Sequence, residues 1–381
     1  MKSLLYLLLF TTSALRAQVA TITLLDATTH QPIPNAEAYY PTTLNGTITN
    51  AEGKLRINIE NDTLTLSHIG YQTKKIFTPP HFNTTTIHLQ PYEIQLDEVV
   101  VYNYPLKEKV KYVIDNYFKL YDTQSKILEI TYREKYLKND TLIRLYQVQL
   151  DWWSKNHILQ FKKSLNDNLH IHLKNTDYSK ISNPDEGVNS AFFYPNFILP
   201  YLHLNFYLIA LNNAKDIEIK KVEKDHQHTI VTFNAQVYIN KNEPVDLQNS
   251  VIYFDKNTQA IKQISFTQKP TNGEGISQKK KIPYKTFDNK GTWQITFTPY
   301  KNKLLFSSYS IKGSIIFQYQ GKTDQAYIEQ SFLRTGVKEG GHIKKSDRID
   351  VNNPFFQYIT PHKPNQAKFI LTTAEQDFIN Q

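Results

Sequence analysis

The chain has no cysteine among its 381 residues. That absence excludes disulfides, a cysteine nucleophile, a thiolate metal site and a lipid anchor on a cysteine. Glycine is scarce, at 12 residues, so phosphate-cradling glycine loops are not expected. The patterns His-Glu-x-x-His and Gly-x-Ser-x-Gly are also missing. None of the 12 histidines has a glutamate three residues later, so the His-x-x-Glu half of a peptidase zinc site is absent. The sequence offers no cofactor motif and no recognisable catalytic set. A non-enzymatic protein is the expectation.

Aromatic residues are what the chain has instead: 25 Tyr, 21 Phe and 3 Trp. Rich in aromatic and β-branched residues, it favours strands. Its net charge of +9 is unevenly spread. Residues 18–102 hold four basic against eight acidic side chains, a net of −4. With Lys2 and Arg16 set aside, residues 103–381 carry +11. A basic surface can face anionic lipid, polysaccharide or nucleic acid. The lysines are scattered, however, and lysine on strand edges guards against aggregation. No nucleic-acid reader motif accompanies them, so no nucleic-acid partner is expected.

The first 17 residues read as a signal peptide. Lys2 precedes the apolar run "LLYLLLF" (4–10), which is too short to span a bilayer. Cleavage is placed after Ala17, with Ala14 as the alternative. Export follows, to the periplasm or with peripheral attachment to an outer membrane.

Residues 18–101 read as a small β-sandwich: six or seven short strands separated by turn signals. In "NGTITNAEGKLRINI" (45–59) Asn-Gly and Glu-Gly supply turns, and Leu55, Ile57 and Ile59 then alternate with polar residues. Residues 102–122 form a linker and an amphipathic helix. After Pro105 the apolar positions Leu106, Val110, Val113, Ile114, Tyr117, Phe118 and Tyr121 fall on one helical face. Residues 123–340 return to strands in sequential hairpins, such as "ILEITYREKYL", "KND", "TLIRLYQVQLDWW". They predict a larger curled antiparallel sheet with few helices. The remainder, 341–381, reads as an irregular tail.

One segment breaks the strand rhythm. "SAFFYPNFILPYLHLNFYLIALNNA" (190–214) is nearly all apolar or aromatic. Pro195, Asn196, Pro200, His203 and Asn205 argue against a membrane span. It is expected to be a buried helix plus loop; the alternative is a lid or an apolar groove with Phe192, Phe193 and Tyr201 as contacts. In "DWWSKNH" (151–157) neighbouring strand residues face opposite ways. One of Trp152 and Trp153 should be core, and the other free to stack on a sugar or a partner. His170/His172 and His226/His228 are His-x-His pairs, each able to hold a metal with a third ligand from elsewhere. Exposed turn histidines are the alternative, and no metal is assigned.

The segments "QPIPNAEAYY" (31–40), "GTITNAEGKLRI" (46–57), "LTLSHIGYQTKKI" (64–76) and "LDEVVV" (96–101) together resemble the carboxypeptidase regulatory-like domain. The resemblance implies a transthyretin-like sandwich, a non-catalytic appendage in its parent enzymes. Similar domains lead TonB-dependent receptors of Gram-negative envelopes, whose plug and barrel of about 22 strands do not fit the remaining length. "IYFDKNTQAIKQISF" (252–266) is similar to the curled sheets of lipoprotein-carrier proteins. The expected role is to bind an envelope protein, a lipid or a glycan, with the sandwich as docking or spacer module. A small outer-membrane β-barrel and a hydrolase with unrecognised carboxylates are the alternatives.

Overall fold

A computed structural model describes residues 18–43, 45–68, 70–91, 104–182, 199–240, 243–277, 281–360 and 371–380. These fall into two compact units, 18–91 with 371–372, and 104–360 with 373–380.

The first unit has two sheets. β1 (Val19–Asp26) lies between β4 (Lys54–Asn58), antiparallel, and β7 (Thr85–Leu89), parallel. The second sheet runs β3 (Gly46–Ile48), β2 (Glu37–Tyr39), β5 (Thr63–Ser67), β6 (Lys74–Phe77). Alternation does the work: Ile22, Leu24, Leu55, Ile57, Leu64, Leu66, Ile87 and Leu89 pack into one core. The turn before β4 needs Gly53, whose φ is +71°. A β-carbon there would meet the Leu24 carbonyl at 2.5 Å. Asp26 anchors the far turn: Thr28 and Thr29 amides donate to its Oδ1, and the Tyr71 hydroxyl donates to its Oδ2. His68 packs edge-on to Tyr71, at 5.4 Å between ring centres.

The second unit opens with α1 (Leu106–Asp115), breaks at Asn116, and adds the single turn α2 (Tyr117–Leu120). The break shifts the face predicted from one continuous helix. Leu120 is buried, whereas Phe118 is 62% exposed.

Eleven strands then build one antiparallel sheet: β8 (Lys126–Lys138), β9 (Thr141–Ser154), β10 (His170–Ile181), β11 (Lys215–Lys224), β12 (His228–Asn240), β13 (Glu243–Asp255), β14 (Ile261–Thr267), β15 (Thr271–Ile276), β16 (Pro283–Tyr300), β17 (Lys303–Tyr319) and β18 (Lys322–Glu339). Two turns match their sequence signals. Asn139 and Asp140 take φ of 49° and 59° in the β8–β9 hairpin, as a type I′ turn requires. Asp255 closes the β13–β14 turn by accepting from the Asn257 and Thr258 amides.

The strand order is β10-β9-β8-β18-β17-β16-β14-β13-β12-β11, with β15 beside β16. Every connection is to a neighbour except two, β14 to β15, which both pair with β16, and β10 to β11. The chain leaves β10 at one edge and resumes in β11 at the opposite edge. The described residues before β11, a 3-10 turn at Leu199–Leu202 and the helix α4 (Leu204–Asn212), lie across a face of the sheet. (α3, Leu165–Asn168, is a single turn between β9 and β10.) The crossed face, here the inner face, carries Trp152, Tyr132, Phe332, Tyr309, Trp293 and Phe266, and α4 also packs against α1.

The sheet is curled. Trp152 on β9 and Phe306 on β17 lie three strand steps apart, about 14 Å on a flat sheet. Their rings are 5.2 Å apart. Register shifts interrupt eight of the strand pairings, and such bulges bend strands and increase twist. The barrel alternative is corrected here. Among the described residues β10 and β11 each pair on one side only, so the sheet does not close.

The stretch after Gly340 is more ordered than an irregular tail. Ile343, Val351, Phe355 and Ile359 are buried, and α5 (Thr373–Asn380) seats Phe378 and Ile379. Glu375 of α5 pairs with Arg133 at 2.6 Å and Lys135 at 3.2 Å on the outer face. Apolar residues spaced without a period of two or 3.6 left no sequence signal.

Candidate functional site

The crossing segment and the inner face enclose an aromatic layer. Tyr201 lies flat on Trp293, at 5.6 Å and 6°. Tyr207 meets Phe266 edge-on at 5.0 Å. Trp152 is edge-on to both His203 and His157, each at 5.6 Å. These contacts run from β9 to β14 beneath the crossing, as the strand order requires.

Most buried polar groups of this unit have partners. Glu134 accepts from Tyr132 (2.7 Å), Tyr146 (2.9 Å), Gln330 (2.9 Å) and Arg144 (2.5 Å). The Arg144 guanidinium lies 5.1 Å from the Tyr136 ring centre and 4.6 Å from that of Phe356. Three of these donors share Oε2 and Arg144 holds Oε1, so Glu134 is the centre of a buried network.

The layer under the crossing is one of several places in the unit where buried polar atoms lack a partner. Trp152, His203, Tyr207 and Tyr309 are each at most 2% exposed. The Trp152 indole nitrogen, His203 Nε2 and both tyrosine hydroxyls are shielded from solvent with no hydrogen-bond partner. His157, beside them, is half-buried and its ring is hydrogen-bonded to the Lys126 backbone. An interior that satisfies Glu134 four times over leaves those four groups open. Buried polar atoms without partners are rare, and each calls for a water, an ion or a ligand.

The electrostatics of the layer are neutral. Burial lowers the His203 pKa to about 4 and His157 to about 3, so both rings are uncharged at neutral pH. His203 Nδ1 lies 3.2 Å from the Leu199 carbonyl, which can only accept. The proton is therefore on Nδ1, and Nε2 presents a lone pair. Burial pushes the Tyr201 hydroxyl up to about 12 and those of Tyr207 and Tyr309 further, so all three remain protonated. At the His157 end Lys126 is fully buried, paired with Asp122 at 2.7 Å and with Glu339 at 3.9 Å.

Of the residues singled out in the sequence, Trp152 and Tyr201 belong to this layer. Trp153 points to the outer face, half-buried, stacked on His170 at 4.6 Å and 15°. Phe192 and Phe193 lie outside the described residues. His170 accepts from Arg348 at 3.0 Å through Nε2, and His228 Nδ1 lies 3.0 Å from Asp225. Among the described residues no group of three or more His, Asp or Glu is placed to hold a metal. His203 entered the sequence reading only as an argument against a membrane span. Tyr207 and Tyr309 carried no signal, because their partnerless hydroxyls depend on what lies above them.

Elsewhere, an open groove of about 850 Å³ lies between β15 and the β17–β18 turn, lined by Ile276, Tyr284, Lys285, Tyr319 and Lys322 among others. It is a surface concavity at hairpin ends. None of its lining side chains is a buried polar group without a partner, so it makes a weaker candidate.

Solved structures similar to parts of the chain include a LolA superfamily protein from Nitrosomonas europaea, at 10% identity, covering 64% of this chain and 96% of that one with a TM-score of 0.25. Lipovitellin matches at 5% identity over 60% of this chain and 27% of its own, TM-score 0.24. An S-type phycobiliprotein lyase from Guillardia theta matches at 11% identity over 62% and 100%, TM-score 0.17. No curated protein matches the chain. Residues 23–101 match the CarboxypepD_reg-like domain family, which bears out the resemblance read from 31–40, 46–57, 64–76 and 96–101.

Proposed function

We propose that this is a non-enzymatic, exported cell-envelope protein that binds its ligand between the inner face of the large sheet and the Leu199–Asn212 crossing. The sandwich serves as docking or spacer module, in keeping with the regulatory-like domain at 23–101. One observation carries the reading. Trp152, His203, Tyr207 and Tyr309 keep buried polar atoms without partners inside an otherwise apolar, aromatic layer. Ligand sites have this composition: mostly aromatic walls with a few convergent polar groups. Lys2, the apolar run 4–10 and the absence of cysteine support export to the envelope.

The test is purification from envelope fractions without detergent, followed by native mass spectrometry before and after organic extraction. The expected result is an extractable small molecule bound one to one, and a lower melting temperature once it is removed. Extraction that changes neither mass nor stability would refute binding at this layer. Release of a defined product from an envelope polymer by the purified protein would replace it with an enzymatic role.

A further inference from the structure

The β15–β16 and β17–β18 hairpins turn at the same end of the sheet, and the open groove of about 850 Å³ lies between them. Its floor is aromatic. Among the described residues β15 pairs only with β16, with Ile276 opposite Pro283 and Gly275 opposite Tyr284. Glycine at 275 lets the Tyr284 ring lie on β15: a β-carbon there would meet its hydroxyl at 2.8 Å. Tyr284 is also edge-on to Phe317 at 5.6 Å, and the Tyr319 hydroxyl donates to Asp324.

The rim is cationic and apolar. Lys281, Lys285 and Lys322 are exposed and form no ion pair among the described residues. Lys290 and Lys312, farther along β16 and β17, are paired with Asp288 and Glu329. Lys281 also ends the chain's longest run of like charge, Lys279–Lys281, whose first two residues lie outside the described ones. Against these cations stand Glu274, the one carboxylate lining the groove, and Asp140 in the adjoining β8–β9 turn. Asp324 is already held by Lys138 at 2.9 Å and by Asn139 and Tyr319. Ile276 is 65% exposed, more than any other large apolar side chain among the described residues. By register it shares a face of the hairpin with Pro283 and Lys285.

Unpaired lysines beside an exposed aliphatic tip match a bilayer surface of anionic head groups, where ammonium groups meet phosphates and the apolar tip leaves water. A hydrated acidic polymer would answer the lysines and leave Ile276 in water. We propose that this end of the sheet docks on a bilayer bearing anionic phospholipid, with Lys281, Lys285 and Lys322 on head-group phosphates and Ile276 in the interface. The surface shares no residue with the aromatic layer and does not depend on the binding role proposed for it.

The test is flotation of the full chain, purified from envelope fractions, with vesicles of phosphatidylcholine alone or mixed with phosphatidylglycerol. The expected result is binding to the mixed vesicles that weakens with added salt. One lysine at an anionic surface is worth about fivefold in binding, so Lys285→Glu and Lys322→Glu should each weaken it at least about fivefold. Ile276→Ser should weaken it by a similar factor, about fivefold, and should still do so at high salt. Lys224→Glu, at an exposed lysine of the β11 edge, makes the same change in net charge and should cost less than about twofold. Equal binding to vesicles without phosphatidylglycerol, or a Lys224→Glu variant as weak as Lys285→Glu, overturns the assignment of this surface. Binding to soluble dextran sulfate as tight as to the mixed vesicles, with Ile276→Ser unaffected, overturns it in favour of an acidic polymer. No binding to either vesicle refutes the surface whether or not a small molecule is extracted from the layer, so the two readings fail separately.

Discussion

Tyr309→Phe should make the ligand-free protein more stable. The residue sits on β17 at 1% exposure, and its hydroxyl has no hydrogen-bond partner. A buried hydroxyl without a partner costs about 1–3 kcal/mol relative to its hydrated state in the unfolded chain. Phenylalanine keeps the ring and its contact with Phe332, 6.2 Å between centres, and removes only the oxygen. The small void left by the oxygen offsets part of the gain. A net stabilisation of about 1 kcal/mol is expected. Tyr146→Phe is the matched control: the same change three strand steps away in the sheet, but at a hydroxyl donating to Glu134 at 2.9 Å. Losing a hydrogen bond to a charged group should cost about 1.5–3 kcal/mol. The assay is urea denaturation of extracted protein followed by circular dichroism, with the slope checked for equality between variants. A Tyr309→Phe variant less stable by 1 kcal/mol or more would refute the reasoning. Its hydroxyl would then have a partner even without ligand, such as a fixed water.

Acid should weaken the large unit before its carboxylates titrate. His157 and His203 have folded pKa values of about 3 and 4, below the 6.5 of the unfolded chain. The unfolded state therefore takes up protons first, and stability falls as pH drops through 6.5 toward those values. Between pH 7 and 5 the loss should be about 2 kcal/mol per histidine, read by urea melts at both pH values; a flat profile would show the rings are accessible to protons when folded. Glu134→Leu should destabilise by about 3–5 kcal/mol, because Arg144 is left buried without its counter-charge; chemical denaturation within 1 kcal/mol of wild type would contradict the network. Gly53→Ala should cost the sandwich at least about 1–2 kcal/mol from the left-handed φ alone, before the clash with the Leu24 carbonyl. A thermal melt unchanged in that unit would mean the turn can relax.

The local elements were legible in the sequence because they rest on short-range patterns. A period of two marked β1, β4, β12 and their neighbours, since each has one buried and one wet face. Asn139-Asp140 and Asp255 marked hairpins through backbone conformations and side-chain caps that few residues supply. The regulatory-like domain was readable for the same reason: its turns and strands carry its own core. Phe118 was misplaced because Asn116 interrupts the helix, and one residue's change of phase turns a side chain outward.

The site was not legible in this way. Trp152 and Tyr201 stood out as large aromatic residues, but nothing in the sequence joined them to Tyr207 and Tyr309, and His203 registered only as a polar break in an apolar run. Their meeting depends on which strands form the two edges of the sheet. Because β8 pairs with β18, β10 and β11 end up at opposite edges, and Leu199–Asn212, ahead of β11, lies across the inner face. That crossing buries side chains whose polar atoms the strands below do not satisfy. The sequence alone therefore determined composition, strands, turns and the first domain, all of them local consequences of residue type and spacing. Tertiary structure decided which buried atoms are left without partners, because satisfaction of a hydrogen bond is a property of the neighbours and not of the residue.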